Sequence, residues 1–355
     1  MHKKIASVRD VLLKKDLDAI LIGKPENRRY ISSFTGTTGF VIITKDEAIF
    51  ITDFRYMQQA QKECKLFKII ETSRYEPLTN ILNELNIGRL GVEEEFFTYG
   101  HALDLQEKLK NLSLVALEGA LTKIRSIKSK EEIEYITTAA SIADKAFAYI
   151  LDFLKPGAIE EDIALELEFF MRKQGASGVS FNFIVASGER SSLPHGTASN
   201  KIIEAGDFVT LDFGCIYEGY CSDMTRTMVV GEASTKQKEI YSIVLQAQKT
   251  ALDAVKPGIT GKDLDSIARS IIEEAGYGDN FGHGLGHGVG LEVHELPHVN
   301  IIGDIPMEPG MVITIEPGIY IPGFGGVRIE DLVVVTENGY KVLSKTSKEL
   351  IEIKI

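Results

Sequence analysis

The sequence predicts an α+β chain of two domains: an α/β domain over residues 1–123, then a domain over residues 124–355 built on an internal repeat. Three observations carry this. At 355 residues the chain exceeds one ordinary hydrophobic core. Its first third alternates helical and strand periodicities. Its remainder contains two related helix-turn-helix stretches about a hundred residues apart.

In the first domain, KIASVRDVLLKK is amphipathic at helical spacing and DAILIG is a short apolar strand. GFVIIT and EAIFITD read as a hairpin pair. FRYMQQAQKEC returns to helical spacing, followed by a strand at FKIIE and a helix near EPLTNILNEL. A strand at RLGVE and a helix at GHALDLQEKLK complete the domain. It contains neither a phosphate loop nor a dinucleotide fingerprint. The charged segment IRSIKSKEEIEYI marks the boundary, because Ser129 followed by Glu132 forms a capping box that opens a long helix.

The repeat pairs LKPGAIEEDIALELEFFMRKQGA, from Leu154, with VKPGITGKDLDSIARSIIEEAGY, from Val255. In each, Lys-Pro-Gly separates two helices, an aspartate recurs (Asp162, Asp263), and the second helix closes at a glycine, Gly175 or Gly276. This predicts two helix-helix-strand halves facing each other, with a site at their junction.

Composition narrows the function. Hydrophobic residues make up 44% and charged residues 25%, the balance of a globular protein, and no apolar run approaches the roughly 18 residues of a membrane span. The N-terminal stretch is charged throughout, so a cytoplasmic location is expected. A net charge of −12 argues against nucleic acid. Cys64, Cys215 and Cys221 are too few and too irregular for a disulfide framework or zinc ribbon, and Cys215 and Cys221 read as ordinary strand residues.

The chemistry lies in the second domain. His195, His283, His287, His294 and His298 cluster there, which marks either a site or a set of surface histidines in glycine-rich loops. The strand GDFVTLDFG ends at Asp212, and its partner GYCSDMTRTMVV carries Asp223. Joined through Gly214 and Gly219, the two can present both aspartates on one face. MVITIEPGIY presents Glu316 at a strand end, and GGVRIEDLVVV presents Glu330 inside another, with Asp331 facing away. Adjacent buried carboxylates repel unless a cation or proton intervenes. GHGLGHGVGLEVHE has the His-x-x-x-His spacing of a zinc-protease helix, but Gly282, Gly284, Gly286, Gly288 and Gly290 surround the histidines and no helix would hold. Four carboxylates and one imidazole favour manganese, cobalt, iron or magnesium, with zinc also compatible. They exceed what one divalent ion needs, so two ions are expected, able to lower the pKa of bound water to about 7 and yield a hydroxide nucleophile.

These segments resemble the family containing aminopeptidase P, prolidase and methionine aminopeptidase, the pita-bread metallopeptidases. IVASGERSSLPHG, GDFVTLDFG, GYCSDMTRT, GHGLGHGVGLEVHE, TIEPGIY and GGVRIEDLVVV occur in the family's order over most of residues 180–336. The resemblance implies a pita-bread catalytic domain with pseudo-twofold symmetry. By position, Asp212 looks like the chelating ligand of one ion, His287 and Glu316 like ligands of the other, and Asp223 and Glu330 like bridges. Glu316 is also implied as general base. His195 and His294 match residues that bind substrate and stabilise the tetrahedral intermediate, and His283, Tyr320 and Arg328 match the supporting shell.

YISSFTGTTGF, ITDFRYMQQA and IRSIKSKEEIE resemble the creatinase-like N-terminal domain of aminopeptidase P and prolidase, which methionine aminopeptidases lack. The implied reaction is hydrolysis of the bond between an N-terminal residue and proline, with proline-containing peptides as partners, manganese as the metal and a homodimer as the assembly. TDFRY followed by an alanine-bearing helix favours the Xaa-Pro aminopeptidase branch; Xaa-Pro dipeptidase is the alternative. One departure stands out. The chain has no tryptophan, and Gly288 occupies the position after the metal histidine where some aminopeptidase P members carry one. The proline wall must then use other apolar groups such as Phe181. Two rivals remain, a metal-free creatinase-like hydrolase and a non-catalytic peptide-binding relative. Both would lose metal ligands, and this sequence keeps the full set.

Overall fold

The computed structural model describes residues 2–73 and 78–355, which divide into two compact units, Met1–Arg125 and Ser126–Ile355. In the first, chain order gives α1 (His2–Lys14), β1 (Ala19–Ile22), α2 (Pro25–Ser32), β2 (Phe40–Thr44), β3 (Ala48–Thr52), α3 (Met57–Glu63) and β4 (Lys68–Glu71). Then follow α4 (Leu78–Glu84), β5 (Arg89–Val92), α5 (Tyr99–Lys108), β6 (Ser113–Ala116) and α6 (Ala120–Ser126). The six strands form one mixed sheet in the order β4-β3-β2-β1-β5-β6. The expected hairpin is present, β2 and β3 pairing antiparallel from Phe40 opposite Ile51. Apolar side chains fill both faces: Ile20, Ile22, Val41 and Ile43 pack on one, and Ala19, Leu21 and Ile42 on the other. Glu76 and Pro77, read as the start of a helix, lie outside the described residues, and α4 is described from Leu78. Three elements escaped the periodicity reading: α2, whose buried face includes the polar Asn27 and Arg28, and the short β6 and α6.

The second unit opens with α7 (Lys130–Ile150), and its N-terminus has the capping box expected. The Ser129 hydroxyl accepts from the Glu132 amide, and Glu132 accepts from the Ser129 amide at 2.8 Å. Such a cap contributes about 1 kcal/mol. After α8 (Glu160–Lys173) come β7 (Gly178–Val179), β8 (Ile184–Ser187), a 3₁₀ turn (Gly188–Ser192), β9 (Phe208–Phe213), β10 (Cys215–Tyr217), β11 (Tyr220–Cys221) and β12 (Met224–Val230). A second helical pair, α9 (Thr235–Asp253) and α10 (Gly261–Glu274), precedes β13 (Gly286–Gly288), β14 (Glu295–Val299), β15 (Val312–Ile315) and β16 (Gly318–Ile321). The unit ends with β17 (Gly325–Arg328), β18 (Asp331–Thr336), β19 (Gly339–Val342) and β20 (Glu352–Ile353).

The repeat is visible in the backbone. Gly157 and Gly258 turn the chain at φ 94° and 88°, and Gly175 and Gly276 end the second helices at φ 105° and 85°. These are left-handed conformations in which a side chain is strained. Each helical pair covers one sheet and closes one core. Helices α7 and α8 pack with β8, β9 and β12 around Leu167, Val209, Leu211 and Met228. Helices α9 and α10 pack with β15 and β18 around Val244, Leu264, Ile313 and Val333. The two larger sheets have the orders β20-β12-β9-β8 and β14-β13-β15-β18-β19. This is the α+β pita-bread arrangement expected, behind a creatinase-like α/β unit in sequence.

Two local expectations need correction. The stretch GYCSDMTRTMVV is not one strand: Tyr220 and Cys221 belong to a small sheet with β10 and β7, and β12 starts only at Met224. Glu330 lies not inside a strand but at the break between β17 and β18, which belong to different sheets. Its amide donates to the Thr225 carbonyl of β12 at 3.1 Å, so the chain crosses from one sheet to the next at this residue.

Candidate metal centre

Strands β9 and β12 pair antiparallel with Asp212 opposite Thr225. Asp223 stands just before β12, off the paired strand, and both aspartates line the same cavity. From the other half, β13 supplies His287 and the end of β15 supplies Glu316. The His287 Nε2 atom lies 3.3 Å from Glu316 and 3.7 Å from Asp223. Among the described residues, Asp223, His287 and Glu330 offer ligand atoms all within 4.8 Å of one another. The site therefore sits at the junction of the two halves of the repeat.

The glycines around His287 are there for close approach. A Cβ on Gly286 would run into the Thr314 carbonyl of β15, and one on Gly288 into the Leu296 carbonyl of β14. With both flanks bare, β13 is held between its two neighbours and His287 is held as a strand residue. The helix reading rejected from the sequence is absent. The same contact explains the bare position after His287, since this backbone has no room there for a side chain of any size.

The cluster is buried and electrostatically unbalanced. Asp223 and Glu330 are 5% and 1% exposed. Asp212 Oδ1, Asp223 Oδ1 and Glu330 Oε1 are buried without a hydrogen-bond partner among the described residues. Burial first, and then the neighbouring carboxylates, push the Asp223 and Glu330 carboxyls well above their usual range. Burial works in the same direction on Asp212, partly offset by Arg328. Glu316 goes the other way. Burial opposes its ionisation, but the hydrogen bond and charge of His287, with His283 and Arg328, bring it down to about 2. Orphaned, mutually repelling carboxylate oxygens converging on an imidazole fit a divalent cation site.

A second layer fixes the cluster. Arg328 Nη2 donates to Asp212 Oδ2 at 2.6 Å, its Nη1 to the Tyr320 hydroxyl at 2.8 Å, and its Nε to Thr225 Oγ1 at 3.2 Å. The Tyr320 hydroxyl also meets His283 Nε2 at 2.8 Å. Arg328, Tyr320 and His283 thus form one chain behind the carboxylates. Two residues were missed in the sequence. Thr225 Oγ1 donates to Glu330 Oε2 at 2.6 Å, and Thr314 Oγ1 accepts from the His287 amide and donates to Glu316 Oε1 at 3.1 Å. Neither announces itself locally: Thr225 meets a carboxylate far along the chain, and Thr314 ties Glu316 to His287 of another strand.

The cluster floors a cavity of about 520 Å³, within the range of small-molecule sites. His195, His294 and Phe181 line it with His298, Thr197 and Asn300. His294 lies against His287 with ring centroids 4.1 Å apart, and burial and the His287 charge lower its pKa. Phe181 packs edge-on to Phe183, which meets Phe213 of β9 in the same way. Every site residue expected from the sequence thus lies at this cavity or in the chain behind it. His298, opposite His287 in the β13–β14 ladder, and Asn300 belong to its wall as well.

Residues 134–337 match the model of metallopeptidase family M24, and residues 4–127 that of the creatinase/prolidase N-terminal domain. The chain belongs to metallopeptidase family M24. It is 44% identical over 356 residues to an Xaa-Pro dipeptidase of Pyrococcus furiosus, covering 99% of this chain and 100% of the relative. Among solved structures, an Xaa-Pro dipeptidase from Bacillus anthracis superposes with a TM-score of 0.96 at 48% identity, over 99% of both chains. An X-Pro aminopeptidase from Thermotoga maritima matches with a TM-score of 0.89 at 40% identity, over 95% of this chain and 98% of the other. The metallopeptidase is accordingly a hydrolase that binds divalent metal. Among its described residues, no helix is long and apolar enough to cross a membrane.

Proposed function

We propose that the metallopeptidase hydrolyses Xaa-Pro dipeptides. The observation that carries the reading is the cluster of buried Asp212, Asp223 and Glu330, with orphaned oxygens, beside half-buried His287 and Glu316 at the floor of a cavity of dipeptide-compatible size. The sequence favoured the aminopeptidase branch. The P. furiosus and B. anthracis relatives are both dipeptidases by name and match over nearly the whole chain, which supports the dipeptidase alternative instead.

Asp212, Asp223, His287, Glu316 and Glu330 would hold two divalent cations, with manganese the first choice for an oxygen-rich set. When bound, such cations polarise the scissile carbonyl and bring the pKa of water toward about 7. Glu316 then acts as general base. Thr314 donates to its Oε1, and a carboxylate held in one orientation takes a proton from water without reorganising. His195 and His294, on the cavity wall, donate to the oxyanion that develops at the substrate carbonyl, an effect of a few kcal/mol per donor. Phe181 supplies the apolar wall for the proline ring. Arg328 keeps one Asp212 oxygen engaged and holds the strand face in register.

The reading includes a homodimer, which a mass in solution tests, and a cytoplasmic location, in keeping with three buried free thiols. The functional test is hydrolysis by metal-stripped protein refilled with manganese, offered an Xaa-Pro dipeptide, a longer Xaa-Pro peptide and a methionyl-alanyl peptide. Metal-dependent cleavage of the dipeptide, with the longer peptide at least tenfold poorer, is expected. Preference for the longer peptide would return the chain to the aminopeptidase branch, and cleavage of neither proline peptide would overturn the proposal.

A further inference from the structure

His195 stands at the exposed tip of an excursion that leaves β8 at Ser187 and returns at Ser199. Short turns shape its interior. The Leu193 amide donates to the Arg190 carbonyl at 2.9 Å, and the Gly196 amide to that of Leu193 at 3.0 Å. Such turns leave the aim of the tip to its anchors: one is buried Ser191, whose Oγ accepts from the Gly326 amide of β17 at 2.9 Å, and the others lie at the two ends.

Both ends are tied to one buried carboxylate. Glu160, in the first turn of α8, is fully buried. Its Oε1 accepts from the Ser187 amide at 2.7 Å and the Ser187 hydroxyl at 2.8 Å. Its Oε2 accepts from the Ser199 hydroxyl at 2.8 Å and the Ser199 amide at 3.2 Å. Arg190, from within the excursion, donates Nη1 to Oε2 at 2.7 Å and Nη2 to the Thr197 carbonyl at 2.8 Å, joining the outgoing arm to the returning one. Removing either charge leaves the other poorly compensated in a partly buried setting.

The other half of the repeat uses the same device. On α10, Asp265 is 1% exposed and pairs with Arg269, and its Oδ1 accepts from the Leu285 amide at 2.9 Å. Arg269 donates to the Phe281 and His283 carbonyls, each at 2.8 Å. In both halves a buried acid on the second helix pairs with an arginine that donates to backbone of a histidine-bearing loop, from within the loop at Arg190 and from the helix at Arg269.

We propose that Glu160 and Arg190 are positioning residues that clamp the His195 loop, so that turnover depends on a carboxylate and an arginine outside the cavity lining. The clamp rests on the reading above only in that His195 contacts the substrate. A shift of about 1 Å in such a group can cost about 10²-fold in rate.

The test uses the full-length, manganese-loaded protein. Arg190→Ala is expected to lower kcat/KM for an Xaa-Pro dipeptide by about 10²-fold with metal content unchanged. It should also speed amide exchange in residues 188–199 while leaving the rest of the second unit unaltered. Adding Arg190→Ala to His195→Ala should cost no more than about twofold beyond His195→Ala alone, because both act through one group. Glu160→Gln should reproduce the exchange pattern, and if it fails to fold, Ser199→Ala provides the second perturbation. Multiplying losses in the double variant, or faster exchange spread over the whole unit, would reduce the pair to general stability and overturn the proposal. If His195→Ala leaves turnover intact, the role of His195 is wrong; the clamp is then decided by exchange alone, which supports it if acceleration is confined to the loop and overturns it otherwise.

Discussion

At the residue scale, the decisive feature is that the site's carboxylates are arranged against their own electrostatics. Asp223, Glu330 and Asp212 repel one another where water cannot screen them. Asp212 is partly compensated by Arg328, but among the described residues Asp223 has no such cation beside it, so without metal its removal should not weaken the fold. Asp223→Ala is expected to leave the melting temperature of metal-free protein unchanged or higher, while abolishing the rise that manganese gives the wild type. Calorimetry with and without manganese, alongside metal analysis, checks this; full metal occupancy in the variant would refute the bridging assignment. Glu316→Gln differs, because it keeps size and a hydrogen-bond acceptor for Thr314 while losing basicity. It should keep the fold and lower kcat by about 10²–10⁴-fold, the usual contribution of a general base.

At the element scale, β13 is the narrowest constraint in the site. Gly288→Ala would press a methyl group on the Leu296 carbonyl, and only a shift of β13 against β14 could relieve it. A stability loss of about 1–3 kcal/mol in denaturant titration is expected, with weaker manganese affinity because His287 moves with its strand. Wild-type affinity in a destabilised variant would show that His287 is placed by something other than this ladder. The same region marks what the sequence could disclose. Period-two alternation suggested that Asp212 and Asp223 could share a face, and crowded glycines excluded a helix around His287, because both are local properties. Where Glu330 sits was not local: it depends on one chain crossing between two sheets, which a continuous apolar run conceals. Thr225 and Thr314 looked like ordinary strand threonines until their partners, more than twenty residues away in sequence, were in place. The Glu160 clamp was hidden likewise, since nothing in a glutamate at the start of a helix announces the loop it holds.

At the scale of the whole molecule, each unit buries a thiol in a core of its own, and that thiol reports on its unit. Cys64 lies in a core of the first unit, and Cys215 in the second unit's core beneath α7 and α8. Burial pushes both up to about 11, so at pH 8 only about one thiol in 10³ ionises while the fold is intact, against a substantial fraction once it opens. Alkylation should therefore be negligible in native protein and rapid after unfolding. Because all five proposed ligands belong to the second unit, bound manganese stabilises that unit by RT ln(1 + [L]/Kd), about 2.7 kcal/mol at a hundredfold excess over Kd. Mass-resolved alkylation pulses across a urea series should thus show the Cys215 midpoint rising with manganese. If the Cys64 midpoint stays fixed, the first core unfolds on its own account; an equal rise at Cys64 would mean that the two cores open together. No rise at Cys215 would place the metal outside the buried cluster, and with it the chemistry.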